Sequence, residues 1–270
     1  MIRLNQIAKS YGSKQVLHPI DLELNSGEHT VIMGANGAGK STLLRLAAKG
    51  IEPSSGYVTY GENHQAINAA ELSRMRAFLS QHYSRDLNFT AFDLVLLGRQ
   101  PFYQYKPSKV DTEIVFQALE RFQLLNYAHT PVNQLSGGEL QRVHLARVYA
   151  QIIGNETTEK YFFMDEPSNN LDMKFQIALF ELVDELLEKN TTVVSVLHDI
   201  NMALGLSNRI IFLKHGIIQH DIEPQECSTE ILEDVYEIPF EQIGDSNFRP
   251  RVCMRNDRRN PLKSNKILAL

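Results

Sequence analysis

The chain is most tightly constrained at Val31–Leu44, VIMGANGAGKSTLL. Within it, Gly34-Ala35-Asn36-Gly37-Ala38-Gly39-Lys40-Ser41 matches the pattern G-x-x-x-x-G-K-[ST]. The apolar run Thr30–Met33 comes before it and the helix-forming run Thr42–Ala48 comes after. Strand, loop and helix in that order make a phosphate-binding loop. The glycines let the backbone curl so that several N–H groups point inward at phosphate oxygens. The helix that follows offers its unpaired N–H groups and positive dipole end to the same anion. Lys40 is then placed to reach the β- and γ-phosphates, and the Ser41 hydroxyl to ligate Mg²⁺. A glycine-rich turn that happens to hold Lys-Ser is the bland alternative, and the flanks argue against it.

The 270 residues, 43% of them hydrophobic, suffice for one sizeable core with a subdomain. A charged fraction of 22% together with thirteen Phe argues against disorder. The net charge of −5 argues against a general nucleic-acid binder, which calls for a basic face. Cys227 and Cys253 have no metal-ligand spacing and read as free thiols of a reducing compartment. No apolar run reaches the roughly 20 residues that span a bilayer. The start, MIRLNQIAKSYG, lacks the apolar core of a secretory signal. The expectation is a protein that is soluble or reaches a membrane only through a partner.

Alternation of apolar and polar residues predicts strands over Met1–Ala8 and Val16–Leu24, with a turn at Tyr11-Gly12 and Pro19 marking an edge or bulge. His29–Met33 leads into the phosphate loop, a helix over Ser41–Ala48 follows, and a strand over Tyr57–Tyr60 ends the antiparallel part. Ala69–Met75 reads as helix and Arg76–Ser80 as a short strand. From Asp86 to Tyr149 the character is helical: Thr90 as a cap with Asp93, a helix over Asp111–Leu125, and a helix over Gly137–Ile152. Strand Lys160–Met164, helix Met173–Lys189, strand Thr191–Leu197, helix Ile200–Leu206 and strand Arg209–Leu213 then alternate, with Gly216 turning back into Ile217–His220. The predicted class is α/β: a mostly parallel sheet covered on both faces, an antiparallel β subdomain, and an inserted α-helical subdomain. Beyond Pro224 the pattern weakens to a helix over Thr229–Tyr236, a strand over Phe248–Met254 and a polar tail from Arg255.

Two further motifs carry chemistry. Tyr161-Phe162-Phe163-Met164-Asp165-Glu166 puts two carboxylates at the end of a buried strand. Asp165 can hold Mg²⁺ through water, and Glu166 can orient or deprotonate an attacking water. In Gln134-Leu135-Ser136-Gly137-Gly138-Glu139-Leu140-Gln141-Arg142, Ser136 caps a helix that opens on two glycines. Each such glycine costs about 1 kcal/mol relative to Ala. A chain that carries it twice needs accessible backbone N–H groups there, which describes a second anion site.

With those strings in place the chain resembles the ATP-binding subunit of ATP-binding-cassette (ABC) transporters, over roughly Met1–Ile222. The resemblance implies a P-loop NTPase core of the RecA-like kind over 1–222, the helical insertion at approximately 84–150, and a C-terminal extension over 223–270. It implies that Gly34, Ala35, Asn36, Gly37, Ala38, Gly39, Lys40, Ser41 and Thr42 bind ATP, with Tyr11 stacking on adenine. It matches Asp165 to the Walker B aspartate, Glu166 to the catalytic glutamate, His198 to the switch histidine and Gln81 to the Q-loop glutamine. Ser41, Gln81 and Asp165 are the implied Mg²⁺ ligands. Ser136, Gly137, Gly138 and Glu139 match the signature that contacts the ATP of a partner copy, and Asp172 matches the D-loop aspartate, although Asn169-Asn170 departs from the usual S-x-L-D form.

The implied assembly is a head-to-tail dimer of two such chains, docked on transmembrane permease subunits at the cytoplasmic face of a bacterial cell membrane, with a substrate-binding protein in the complex. Leu96-Leu97-Gly98-Arg99-Gln100-Pro101-Phe102 and His198-Asp199-Ile200-Asn201-Met202-Ala203 are similar to importers of iron–siderophore, cobalamin and haem. Gln141–Val148 and the extra loop Gly154–Lys160 are most like haem import ATPases, so haem is the expected cargo and a ferric siderophore or cobalamin the alternative. A non-transport ABC ATPase is the reading from another class. The single phosphate loop, the acidic balance and the short stretch from Gln81 to Ser136 argue against it.

Overall fold

The computed structural model describes residues 1–61, 67–80, 88–154, 159–167, 173–244 and 247–251. Strands β1 (Ile2–Tyr11) and β2 (Lys14–Leu24) form a hairpin, with β4 (Ser55–Tyr60) on the other side of β1. All pairs in this sheet are antiparallel. Pro19 lies on β2, an edge strand, where its missing N–H does no harm.

The second sheet combines β3 (His29–Met33), β5 (Arg76–Leu79), β6 (Lys160–Asp165), β7 (Thr191–Val196), β8 (Arg209–Lys214) and β9 (Ile217–Ile222). Its order is β5-β6-β7-β3-β8-β9, parallel throughout except for the final β8–β9 hairpin. Every residue of β3 and β7 is buried. Such strands read as continuous apolar runs because helices cover both faces of the sheet.

Helix α1 (Lys40–Ala47) follows β3, α2 (Ala69–Met75) precedes β5, and α3 (Ala91–Leu96), α4 (Lys109–Arg121) and α5 (Gly137–Ile152) form the helical block. α6 (Met173–Glu188) and α7 (Ile200–Leu206) flank β7. The two faces of β6 go to different cores, as a period of two requires. Phe162 and Met164 pack with Val115, Leu119, Leu145 and Leu182 beneath the helical block. Tyr161 and Phe163 pack with Leu22, Ile32, Leu43 and Val194 beneath the antiparallel sheet and α1. A third cluster joins Val31, Met33, Ile200 and Phe212 to residues after Pro224, where α8 (Thr229–Tyr236), β10 (Phe240–Ile243) and β11 (Asn247–Pro250) lie.

The structure departs from the sequence expectations at element ends. Tyr11 is the last residue of β1, paired with Lys14, and Gly12-Ser13 make the turn. Ser108 and Asp111 form a capping box that starts α4 two residues early, and the helix ends at Arg121 rather than Leu125. Gln123, at φ 57°, has left the helical region. β10 is unanticipated: it is a short edge ribbon with β11, and a four-residue strand of mixed exposure leaves little periodicity to read. Gln81, Ser168–Asp172 with the D-loop Asp172, Cys253 and the tail from Arg255 lie outside the described residues, as does most of the extra loop before Lys160. No helix among the described residues is long and apolar enough to cross a membrane.

Candidate functional site

Neighbouring strands β6, β7 and β3 end side by side, and their carboxyl ends carry Asp165-Glu166, His198 and Gly34 respectively. A crevice at the carboxyl edge of a parallel sheet is where α/β folds bind ligands. The chain leaves β3 through Gly34 at φ 140°, where a Cβ would lie 2.1 Å from the Leu213 carbonyl oxygen. It enters α1 through Gly39 at φ 104°, where a Cβ would meet Leu17 Cδ2 at 2.7 Å. Both positions exclude other residues on steric grounds. Between them Ala35, Asn36 and Gly37 are exposed and Ala38 is buried. The Ala38 carbonyl accepts from Gly216 N–H at 3.1 Å, which ties the loop to the β8–β9 turn.

Helix α1 has no side-chain cap and no acid in its first turn, so its opening amides are offered to the crevice. Lys40 is 6% exposed, and its Nζ donates to the carbonyls of Gly34 at 2.9 Å and Ala35 at 3.0 Å. Burial lowers the pKa of its ammonium, while Glu166 and Asp165 pull it partly back. Ser41 Oγ donates to Asp165 Oδ1 at 2.8 Å. Asp165 is fully buried, and among the described residues none donates a hydrogen bond to its Oδ2, with Arg45 Nη2 3.5 Å away. A buried carboxylate oxygen without a hydrogen bond, beside a serine hydroxyl, is a hard-oxygen donor set that fits a divalent cation. Thr42 is half-buried one residue further along α1.

Glu166 adopts φ 50°, an uncommon backbone for a non-glycine residue, and its N–H donates to the Val196 carbonyl at 3.1 Å. That turn aims its side chain at His198, whose Nε2 contacts Glu166 Oε1. A carboxylate and an imidazole thus meet beside a buried lysine and the start of an uncapped helix. Such a site can bind a polyphosphate and activate water against it.

A family model described as ABC transporter matches residues 17–169. The chain belongs to the ABC transporter family. It is 36% identical over 248 residues to the petrobactin import ATP-binding protein YclP of Bacillus subtilis, covering 90% of this chain and 96% of that one. It is 36% identical over 236 residues to the hemin import ATP-binding protein HmuV of Aliivibrio fischeri, covering 87% and 90%. A metal-chelate type ABC transporter in an inward-facing conformation superposes with a TM-score of 0.75 at 25% identity, over 93% of this chain and 98% of that one. A dimeric bacterial cassette, MJ0796, superposes with a TM-score of 0.69 at 30% identity, over 84% and 100%. The fold is therefore that of an ABC ATPase, a nucleotide-binding cassette.

Within this cassette the remaining candidate residues fall in two places. Tyr11 is half exposed, with Lys9 Nζ 5.1 Å from its ring centroid. Its hairpin reaches the phosphate loop through Val16 and Leu17, both close to Gly39. Ser136–Glu139 sit on the helical block and bond among themselves. Ser136 N–H and Oγ donate to Glu139 Oε2 at 2.8 and 2.7 Å, and Glu139 N–H donates back to Ser136 Oγ at 3.3 Å. The Ser136 hydroxyl first, then its amide and Tyr127, hold the Glu139 carboxyl below its usual range. A Cβ on Gly138 would meet nothing within 4 Å.

Sequence reasoning missed several residues that shape the site. Gln141 Nε2 donates to the Pro167 carbonyl at 3.0 Å, tying α5 to the turn after Glu166. Arg45 sits one helical turn beyond Ser41, a spacing that was there to read. His29, fully buried on β3, donates from Nδ1 to the Leu206 carbonyl at 2.9 Å, so its Nε2 accepts from Ser195 Oγ at 2.8 Å. Burial pushes its pKa down to about 4, against the pull of that carbonyl and of Asp184. Nothing in a lone histidine before a phosphate loop announces such a bridge.

Proposed function

We propose that this chain is the ATP-hydrolysing subunit of an importer that carries haem across the bacterial cytoplasmic membrane. Gly34–Thr42 hold the phosphates of ATP and Lys40 neutralises the β- and γ-phosphates. Ser41 and Asp165, with Gln81, would hold Mg²⁺, which would supply charge neutralisation. Glu166 takes the proton of the attacking water and His198 keeps Glu166 aimed. Tyr11 stacks on the base. Two copies pair head to tail, so that Ser136–Gly138 of one complete the site of the other, with Asp172 at the seam. The pair docks on permease subunits at the cytoplasmic face, and a substrate-binding protein delivers the cargo.

The observation that carries this reading is the Ser41–Asp165 contact, with an Oδ2 to which no described residue donates a hydrogen bond, next to the Glu166–His198 pair. Haem is supported by the likeness to hemin import ATPases, and a ferric siderophore is favoured as a second reading by the equal likeness to the petrobactin ATPase. The test is transport in vesicles that contain the chain and its permease, supplied with ATP and Mg²⁺. ATP-dependent uptake of haem supports the first reading. Uptake of a ferric siderophore without haem replaces it with the second. Nucleotide affinity of Lys40→Ala checks the site itself: binding weakens if the phosphate loop holds ATP, and unchanged affinity removes Lys40 from the role.

A further inference from the structure

His198 is 41% exposed and sits between the end of β7 and the start of the seven-residue α7. Burial does little to orient it, so its aim depends on what holds α7. At its start, Asp199 Oδ1 accepts from the N–H groups of Asn201 at 2.8 Å and Met202 at 3.1 Å. One residue inside, Asn201 makes a two-way bond with the backbone of β11. Its Nδ2 donates to the Phe248 carbonyl at 3.0 Å, and its Oδ1 accepts from Phe248 N–H at 2.8 Å. Phe248 is buried against Val31, Met33, Leu197, Ile200, Leu232 and Val235.

Helix α8 and Glu237 after it are also moored beside the phosphate loop. Lys214, the last residue of β8, donates to the Asp234 carbonyl and pairs with Glu237 at 3.1 Å. His220 Nε2 and Gln219 Nε2 bond Asp234 Oδ2 at 2.8 and 3.0 Å. Tyr236 and Glu237 face Ala35–Ala38 across a pocket of about 120 Å³. One segment therefore packs behind both jaws of the site: the strand that feeds Gly34 and the helix that follows His198.

We propose that residues 224–244 and 247–251 form a strap that positions the ATP site from behind, with Asn201 as the positioning residue that locks α7 to β11 and keeps His198 on Glu166. The proposal rests on the ATP-site reading above. It makes these residues part of the ATPase and not a separate cargo-binding or partner-binding module. Asn201 touches no reacting atom; it acts through His198.

A double-mutant cycle tests it, using the full-length chain assembled with its permease and release of radiolabelled phosphate, so that residual turnover is measurable. Asn201→Ala lowers kcat about tenfold and leaves KM for ATP within about twofold, as expected when orientation and not binding is lost. In the His198→Ala background the same change lowers kcat by less than about twofold, because the group it positions is gone. Equal losses in the two backgrounds, or wild-type turnover in Asn201→Ala, overturn the proposal. Should Asn201→Ala fail to fold, Asn201→Asp keeps the acceptor for Phe248 N–H and goes through the same cycle under the same criteria. If His198→Ala itself turns over like wild type, the ATP-site reading fails. If only Asn201→Ala does so, the strap alone fails.

Discussion

Helices α1 and α5 both begin beside glycine, and they use their first amides in opposite ways. α1 starts at Gly39 with no side-chain cap; beside it Asp165 Oδ2 accepts no hydrogen bond from the described residues, and Glu166 adopts the uncommon φ of 50°. α5 starts at Ser136 with a complete capping box, as do α2 at Asn68, α3 at Thr90 and α4 at Ser108. The contrast extends to the interior. In the helical block, buried Arg99 donates to Asp111 at 3.0 Å and to the carbonyls of Ala150 and Ile153 at 2.9 and 3.1 Å, while Phe102 covers its face. Burial would push the Asp111 carboxyl up, but Ser108 and Arg99 together hold it below its usual range. The crevice is thus held ready for a charged ligand, whereas the helices of the block cap their own first amides and bury Arg99 with its own partners. Local rules are broken at a binding edge more than in the helices around it.

The sharpest way to break this contrast is at Glu166. Glu166→Gln keeps the shape and loses the base, so ATP binding persists while kcat falls about 10²–10⁴-fold. Steady-state hydrolysis with a separate nucleotide-binding titration checks it, and near-normal turnover removes Glu166 from the role. In the helical block, Arg99→Ala leaves the buried Asp111 without its cation and destabilises the fold by about 3–5 kcal/mol. Denaturant unfolding reads that loss directly.

A third prediction concerns the bridge behind the crevice. The His29 pKa falls from 6.5 in the unfolded chain to about 4 in the folded one. The unfolded chain therefore takes up the proton first, and stability is complete above pH 6.5 and declines as the pH drops toward 4. The loss from His29 is on the order of 3 kcal/mol across that window. Urea midpoints from pH 7 to 4.5 fall in the wild type and fall less steeply in His29→Gln. The smallest effect sharpens the comparison most. Gly138→Ala fills open space on a helix and stabilises the isolated chain by about 1 kcal/mol. In the proposed dimer that methyl faces the partner's ATP, so ATP-driven pairing weakens. Thermal midpoints and ATP-dependent sedimentation read the two signs separately.

Much of this was legible because the motifs are local. Lys40 and Ser41 lie in one contiguous string, and Asp165-Glu166 end a strand whose apolar run announces its burial. The capping box at Thr90 was readable from a three-residue spacing. What escaped were bonds between distant parts of the chain. His29 with Ser195, Gln141 with Pro167 and Asn201 with Phe248 are separated by 166, 26 and 47 residues, and periodicity carries no signal across such gaps.

By itself, then, the sequence determined the phosphate loop, the carboxylate pair and the alternation that makes a parallel sheet. Glycine sterics, strand periodicity and helix capping all act over a few residues. Only the tertiary structure decided that Asp165 meets Ser41, that Glu166 turns back onto His198, and that α8 and β11 pack behind both. Those contacts follow from the strand order β6-β7-β3-β8, and that order is set by packing the whole sheet between its covering layers.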